Sequence, residues 1–289
     1  MDATTARRLW AVGEPIHALT YFAPESRAAW EAGGIRGFWR GYFATRAAPL
    51  GAAGAPVVTA AFYNFAPGFV ARAVPEVWTM ASPADAWVAR LAGMDAALRA
   101  HLPDAGAALA GPEVREAATL ARRAAEACPT PGRLFFAAHL DLDWPTEPHL
   151  VLWQALTLLR EYRGDGHNAA LLAANLDGCQ CHVMVTAVGG PPRSVLQPAR
   201  GWTDDQWDAA EAGLTERGLL TPGRPDEATE AGRALRDSVE LCTDQTDVAP
   251  WLALGAEGTE RLHGLIRPMA KALAESGVLP SINPIGTSW

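Results

Sequence analysis

Residues 153–167 have the sequence Trp-Gln-Ala-Leu-Thr-Leu-Leu-Arg-Glu-Tyr-Arg-Gly-Asp-Gly-His, and this stretch decides how two helices are predicted to connect. Apolar residues recur around its start at helical spacing, which predicts the last turns of a helix: Leu152, Leu156 and Leu159. Gly164 stands where a left-handed residue commonly closes a helix. Asp165 is then placed to cap a second helix, with His167 inside its first turn. The stretch therefore predicts a polar corner between two helices.

The predicted corner is a candidate site for binding an anion and transferring a proton. Arg160 and Arg163, with the free N–H groups of the second helix, could hold a carboxylate or another anion. His167 could act as acid or base because its unperturbed pKa is about 6.5. Asp165 could orient that imidazole or raise its pKa. The alternative is an architectural corner, in which Asp165 only caps a helix and His167 is a surface histidine.

A second candidate site lies in the N-terminal half. His17 and Tyr21 are four residues apart, so they share one helix face. Tyr63 and Asn64 could complete a polar lining, and Trp153 could belong to the aromatic wall around it. Apolar walls with a few polar groups are typical of small-molecule sites. The alternative is a core helix that carries hydrogen-bonded polar side chains.

Composition and charge predict the compartment and the partners. The chain has 289 residues, 49% of them hydrophobic, and a formal net charge of -8. An acidic chain gains little from counterion release, so nucleic-acid binding is not expected. No apolar run approaches membrane-spanning length, and no basic start precedes an apolar run, so neither a membrane location nor a signal peptide is predicted. We therefore expect a cytoplasmic protein with reduced thiols.

Metal and cofactor signatures are weak. Cys179, Cys181 and His182 offer soft ligands, but a structural zinc site normally needs four, and no second cluster of cysteine and histidine follows. No structural metal is therefore predicted. The sequence contains no phosphate-binding loop, dinucleotide fingerprint, nucleophile elbow or His-Glu-x-x-His motif, so it identifies no cofactor.

The fold class is predicted from proline and glycine punctuation of helical segments. The first 200 residues favour a series of helices, with 189–200 resembling a linker because it is rich in glycine and proline. Thr203 is placed to cap a helix that runs to Arg217, and Thr229 caps another after a short strand and loop. The prediction is a predominantly all-α protein with a multi-helix N-terminal region. A winged-helix-like C-terminal element with a short β-hairpin follows.

The predicted domain boundary falls in a segment rich in glycine, alanine and proline. It separates an N-terminal helical domain, 1–105, from a second helical domain, 106–289. The second domain contains the winged-helix-like element, at about 148–245, and a final helix.

Three stretches resemble a known family. They are Glu14-Pro-Ile-His17 with Tyr21–Glu25, Gly41–Gly51 with Tyr63–Phe65, and Leu159–His167. The chain resembles an actinobacterial family labelled helix-turn-helix-like, over nearly its whole length, and the Arg-Gly-Asp-Gly-His corner is the most specific part. The resemblance implies an all-helical front and a winged-helix-like end. It implies no established reaction or ligand.

These observations support three hypotheses for function. The first is a small-molecule-binding protein, or a biosynthetic or metabolic enzyme, that uses acid–base and anion-binding groups on a ligand with an anionic or aromatic group. The second is a ligand-responsive winged-helix transcriptional regulator, and the third is a structural module. A DNA-reading helix should be basic, whereas helix 204–217 is acidic, which favours the first. The sequence does not separate an enzyme from a binding protein, and it leaves a homo-oligomer open.

Overall fold

The computed structural model describes residues 1–103 and 105–287, without the side chain of residue 107. It confirms a predominantly helical fold with one two-stranded antiparallel hairpin among the described residues. The helices are α1 (Ala3–Phe22), α2 (Pro24–Ala32), α3 (Phe38–Ala47), α4 (Ala55–Ala61), α5 (Pro67–Val70), α6 (Pro83–His101), α7 (Ala105–Ala108), α8 (Pro112–Glu126), α9 (Leu134–Leu140), α10 (Pro148–Ala173), α11 (Gln180–Ala187), α12 (Arg193–Arg200), α13 (Asp204–Glu216), α14 (Glu230–Thr246) and α15 (Ala249–Glu275). The strands are β1 (Leu220–Thr221) and β2 (Arg224–Ala228), and short 3-10 helices lie at Ala48–Leu50 and Glu76–Thr79.

The predicted helix corner at Gly164 is wrong, because α10 continues through it to Ala173. Each glycine inside a helix costs roughly 1 kcal/mol relative to alanine. Tertiary packing explains why Gly166 is tolerated. A Cβ there would lie 2.2 Å from Nη1 of Arg133, which crosses the helix at this point.

The Arg-Gly-Asp-Gly-His motif instead connects α10 to neighbouring helices. The guanidinium of Arg133 donates to the carbonyl of Tyr162 in α10 and, at 2.8 Å, to that of Thr246 at the end of α14. Asp165 Oδ2 accepts the backbone N–H of Phe136 at 2.9 Å, so it caps the start of α9 rather than a helix of its own. The motif therefore holds α9 and α14 against α10.

We expect alanine substitutions at the two glycines of this motif to have opposite effects. Gly164→Ala should raise the free energy of unfolding by about 0.5–1 kcal/mol, because alanine favours a helix interior and the new Cβ meets no atom closer than 3.5 Å. Gly166→Ala should lower it by about 1–3 kcal/mol, because Arg133 must move and its hydrogen bonds to the carbonyls of Tyr162 and Thr246 are disturbed. Urea unfolding of the two variants measures this. If both variants are destabilised equally, α10 is not continuous here.

A correction also applies to 189–200, where the linker prediction is wrong because α12 occupies Arg193–Arg200. Pro192 lies at the N-terminal boundary of this helix, where a missing N–H costs little. Gly201 follows its end at φ 74°, a conformation that glycine adopts without strain. The predicted cap at Thr203 is confirmed by a reciprocal capping box with Gln206. Two helices, α12 and α13, are thus joined by a turn of three residues, 201–203.

The buried apolar side chains form two clusters. One extends from Ala6 to Tyr162 and resumes from Trp251 to Leu279, and the other extends from Ala170 to Val239. Residues on both sides of the boundary predicted between 105 and 106 share the first cluster. We therefore propose a different division, into a helical body (3–162 and 249–279) and a C-terminal module (170–246). Residues 288 and 289, the end of the predicted second domain, lie outside the described residues. No helix in the described part of the chain is long and apolar enough to span a membrane.

Within the C-terminal module, α11, α12 and α13 are followed directly by the β-hairpin and then by α14. Leu220 pairs with Ala228, and Thr221 pairs with Arg224. This order of elements is typical of a winged helix, and that finer assignment stays a prediction.

Candidate functional site

A cavity of about 880 Å³ lies between the helical body and the C-terminal module. Its volume is within the range of small-molecule sites. We call one region the aromatic arm, and it is lined by Tyr21, Phe38, Trp39, Tyr42, Arg46, Phe62, Asn64, Phe65, Arg160, Glu161, His182 and Arg200. We call the other region the polar arm, and it is lined by Arg7, Arg163, Asp165, His167, Arg236, Glu240 and Thr243.

The aromatic arm takes most of its rings from α3 and from the segment after α4. The Tyr42 and Phe65 rings lie 5.6 Å apart, and Trp39 meets Phe65 edge-on at 6.1 Å. Two arginines cover this aromatic surface, with Arg46 4.3 Å from the Phe62 ring and Arg200 4.7 Å from the Phe65 ring. The arm therefore combines an apolar wall of aromatic rings with guanidinium groups.

A buried ionic network forms one wall of this arm. Arg46 pairs with Glu161 at 3.2 Å, while Arg160 reaches Glu14 at 3.1 Å and Glu161 at 3.3 Å. Burial by itself would raise the pKa of Glu161, but Arg46 and Arg160 outweigh it and hold that pKa at about 2. Burial raises the pKa of Glu14 despite Arg160. The predicted anion-binding residue Arg160 therefore lines the cavity but already has carboxylate partners.

His17 and Tyr21 form a hydrogen-bonded chain with Thr157. The Thr157 hydroxyl donates to the Trp153 carbonyl at 2.9 Å, so it accepts from His17 Nδ1 at 3.0 Å. His17 Nε2 is then the acceptor for the Tyr21 hydroxyl at 3.0 Å. Burial lowers the pKa of His17 well below its usual value, which keeps the imidazole neutral. Tyr21 faces the cavity, whereas His17 and the stacked Trp153 lie behind its wall.

The neighbours Tyr63 and Asn64, predicted to line one site together, have different roles in the structure. The Tyr63 hydroxyl donates to the Leu176 carbonyl at 2.5 Å, so this ring ties the helical body to the C-terminal module. Asn64 lines the cavity, and its side-chain amide makes no hydrogen bond to any of the described residues. Its backbone carbonyl accepts from His182 Nε2 at 3.2 Å and from Trp202 Nε1 at 3.1 Å.

The polar arm contains the rest of the predicted corner, in which Arg163 is already paired with carboxylates. Arg163 donates to Asp244 at 2.6 Å and to Asp247 at 3.4 Å. His167 Nδ1 lies 2.9 Å from the Thr243 hydroxyl, which itself donates to a backbone carbonyl. Burial lowers the pKa of His167 to about 4 and raises that of Asp165 to about 6.

Asp165 does not contact the His167 imidazole, although the predicted corner has Asp165 orienting it. They are two residues apart on one continuous helix, so they point to different sides. Asp165 bonds to the start of α9, and His167 bonds to α14. The proposed orientation of the imidazole by Asp165 is therefore absent, and their catalytic roles stay predictions.

We expect His167 to make stability depend on pH. Its pKa is lowered in the folded protein, so its contribution is complete above the unfolded pKa of about 6.5 and is lost as pH falls toward about 4. Between about pH 7.5 and pH 5 the wild type should lose about 2 kcal/mol relative to His167→Gln, which cannot be protonated there. Urea unfolding at both pH values measures this difference. An equal loss in both proteins would mean that His167 titrates normally when folded.

Several residues of the cavity escaped sequence reasoning. Arg46 lies within the quoted stretch Gly41–Gly51, and Glu14 lies within Glu14–His17, but nothing in either local pattern shows that they reach Glu161 and Arg160. Arg200 belongs to the supposed linker. The sequence presents His182 as a possible metal ligand, whereas in the structure it lines the cavity, where burial lowers its pKa to about 3. Across the described residues, no group of three or more histidine, cysteine, aspartate or glutamate side chains is arranged to hold a metal ion.

The sequence of this chain matches that of a known protein family. Residues 6–280 match the profile of a family described as the Helix-turn-helix family, and the chain belongs to that family. No curated protein and no solved structure matches the chain.

Family membership corrects one prediction about partners. The expectation that no nucleic acid binds is wrong, because a helix-turn-helix family suggests DNA as a partner. That expectation rests on the net charge of -8 and on the acidic helix 204–217. In the structure Arg193 pairs with Asp204 at 2.8 Å and with Asp208 at 2.7 Å, so two of its carboxylates are not free.

Proposed function

We propose that this chain is a ligand-binding helix-turn-helix protein whose small-molecule ligand occupies the aromatic arm of the cavity. The observation that carries the proposal is that both parts of the protein build the wall of this arm. Trp39, Tyr42 and Arg46 come from α3 of the helical body, whereas His182 and Arg200 come from α11 and α12 of the C-terminal module. A ligand there touches both parts at once.

Contacts beside the cavity support a link between the ligand and the helix-turn-helix. Arg200 is the last residue of α12, and the next residue, Gly201, packs so closely on Phe69 that a Cβ would lie 2.2 Å from its ring. The carbonyl of Asn64 receives hydrogen bonds from His182 and Trp202 in the module. A ligand that binds one arrangement of these groups more tightly shifts the population toward it.

The same geometry favours the regulator hypothesis over the enzyme hypothesis. The catalytic candidates Asp165 and His167 hydrogen-bond to neighbouring helices, so each side chain helps to hold the helices together. Arg200, in contrast, connects the cavity wall directly to the α12–α13 pair. We infer that this pair is the part that contacts DNA and that the ligand modulates it.

A pair of fluorescent dyes tests the ligand site. Phenylnaphthylamine is an uncharged aromatic molecule, and anilinonaphthalene sulfonate has the same rings with one added sulfonate. We expect both to bind folded protein with one site. Ala61→Phe should weaken both dyes strongly, because Ala61 lines the cavity and a larger side chain reduces its volume.

Ala28→Phe is the matched control, because Ala28 is exposed on α2 and lies outside the cavity lining. Circular dichroism and melting temperature verify that both variants fold. Binding that is absent in wild type, or equal in the Ala61→Phe and Ala28→Phe variants, would contradict the proposed site.

A further inference from the structure

The aromatic arm and the layer directly behind it carry more positive than negative charge. Four arginines belong to this region, namely Arg46, Arg90, Arg160 and Arg200, and two carboxylates oppose them, namely Glu14 and Glu161. Four cations minus two anions leaves an excess of two positive charges. Arg90 lies behind the wall, where it donates to the Thr45 carbonyl at 3.2 Å. Of the two arginines here without a carboxylate partner among the described residues, Arg90 and Arg200, only Arg200 lines the cavity.

Arg200 differs from the other arginines of the cavity in its partners. Arg46, Arg160 and Arg163 each pair with at least one carboxylate. Arg200 donates only to backbone carbonyls, to Pro284 at 2.7 Å and to Ala199 at 3.4 Å. No carboxylate in the described part of the chain forms an ion pair with it, and its Nε has no hydrogen-bond partner there. It is only 8% exposed.

An unpaired cation at this depth has a direct energetic consequence. Removing a charge from water costs free energy unless an opposite charge or strong hydrogen bonds compensate for it. Burial lowers the pKa of Arg200 for the same reason. An anion entering the cavity would supply the missing charge, and a guanidinium can bind a carboxylate or phosphate through two parallel hydrogen bonds.

The groups around Arg200 define the rest of such a ligand. Arg200 and Tyr42 both contact the Phe65 ring. The Arg200 guanidinium carbon lies 4.7 Å from the centroid of that ring, and the Tyr42 centroid lies 5.6 Å from it. The Tyr42 hydroxyl accepts from Arg46 Nη1 at 3.0 Å, so its own proton is available to a ligand oxygen. The aromatic wall continues from there to Trp39, whose ring meets that of Tyr42 edge-on at 5.6 Å, and a wall of aromatic rings favours an aromatic ligand body.

The Pro284 carbonyl in the C-terminal segment now accepts the hydrogen bond from Arg200 that an anion would accept. Asn283 Oδ1 accepts the N–H groups of Ile285 and Gly286, both at 3.0 Å, and this turn presents the Pro284 carbonyl to Arg200. The carbonyl oxygen is a neutral acceptor that a charged oxygen can replace with a stronger hydrogen bond.

We propose that the ligand carries a single oxyanion, of the carboxylate, sulfonate or phosphate type, on a planar aromatic body, and that Arg200 binds this oxyanion in place of the Pro284 carbonyl. The inference rests on the proposed function, since it names the chemistry of the ligand in the same cavity. It assigns to Arg200 the choice between charged and uncharged ligands, while the aromatic rings bind both.

The two dyes test this choice separately from the existence of the site. Arg200→Met should weaken anilinonaphthalene sulfonate by about ten- to a hundredfold, because a hydrogen bond to a charged group is lost. It should change the affinity for phenylnaphthylamine by less than about threefold, because that dye has no anionic group to lose. Arg193→Met is the matched control on the same helix, since Arg193 pairs with Asp204 and Asp208 outside the cavity.

Arg200→Gln provides a second variant if Arg200→Met does not fold, because the amide can still donate to Pro284 while the charge is gone. The same selective loss is expected for it. If wild type binds both dyes in the cavity and neither Arg200 variant discriminates between them, the inference is overturned and the proposed site stands. If wild type binds neither dye, the proposed function fails first, and this inference fails with it.

Discussion

Replacing Glu161 by alanine is expected to lower the free energy of unfolding by about 3–5 kcal/mol, the usual cost of removing one partner from a buried ion pair. Glu161 is 2% exposed at its side chain and serves both Arg46 and Arg160, whose side chains are 12% and 19% exposed. Its loss leaves Arg46 without its carboxylate and Arg160 with Glu14 alone. Both guanidinium groups are mostly buried, and a buried charge without a partner is costly.

Glu31→Ala is the control for this prediction. Glu31 pairs with Arg27 at 3.0 Å on the exposed side of α2, where both side chains are about half exposed. Surface pairs of this kind contribute about 0–1 kcal/mol, so the control should be nearly silent. Urea unfolding followed by circular dichroism compares the two variants. A loss of less than about 1 kcal/mol for Glu161→Ala would show that water enters this part of the cavity wall and screens the arginines.

Gly178→Ala is expected to destabilise the protein by about 3 kcal/mol, at the upper end of the usual cost of overpacking. A Cβ at Gly178 would lie 2.2 Å from the backbone carbonyl oxygen of Tyr63 and 3.3 Å from Cα of Asn64. Backbone atoms cannot rotate away as a flexible side chain can. The segment that carries Asn64 must therefore separate from the C-terminal module, which also disturbs the cavity.

Gly213→Ala is the matched control for this change, because it lies within α13 and its Cβ meets no atom closer than 3.5 Å. Alanine in that helix should stabilise the protein by about 0.5–1 kcal/mol. Thermal unfolding of both variants separates the two effects. Equal melting temperatures would show that the body and the module are not packed at Gly178 as described.

Part of the fold followed from local patterns alone. The cap at Thr203, the hairpin after α13 and the helical character of the chain depend on interactions within a few residues, and periodicity and capping preferences detect these. Inside α10, Arg133, which is thirty-one residues away from Gly164 in the sequence, crosses the helix beside Gly166 and leaves no room for a Cβ there. No local pattern reveals that contact, so the local sequence around the glycines predicts a helix end.

The candidate site shows the same limit. The predicted ligand-binding residues Tyr21, Asn64 and Arg160 line the cavity. Three others do not line it: Tyr63, which bonds to the C-terminal module, and His17 and Trp153, which lie behind the wall. The sequence does not point to Arg200, because two glycines and two prolines before α12 are typical of a linker. Whether an arginine is paired depends on tertiary contacts, so its lack of a carboxylate partner becomes visible only in the folded structure.

Hydrogen exchange of residues 193–216, with and without phenylnaphthylamine, tests most directly whether the cavity is linked to the proposed DNA-binding pair α12–α13. At a dye concentration of about 100 times the Kd, openings that release the dye should become about a hundredfold rarer. We predict slower exchange in α12 and α13 of wild type and unchanged exchange in Ala61→Phe. Dye binding that leaves exchange in both helices unchanged would contradict the account.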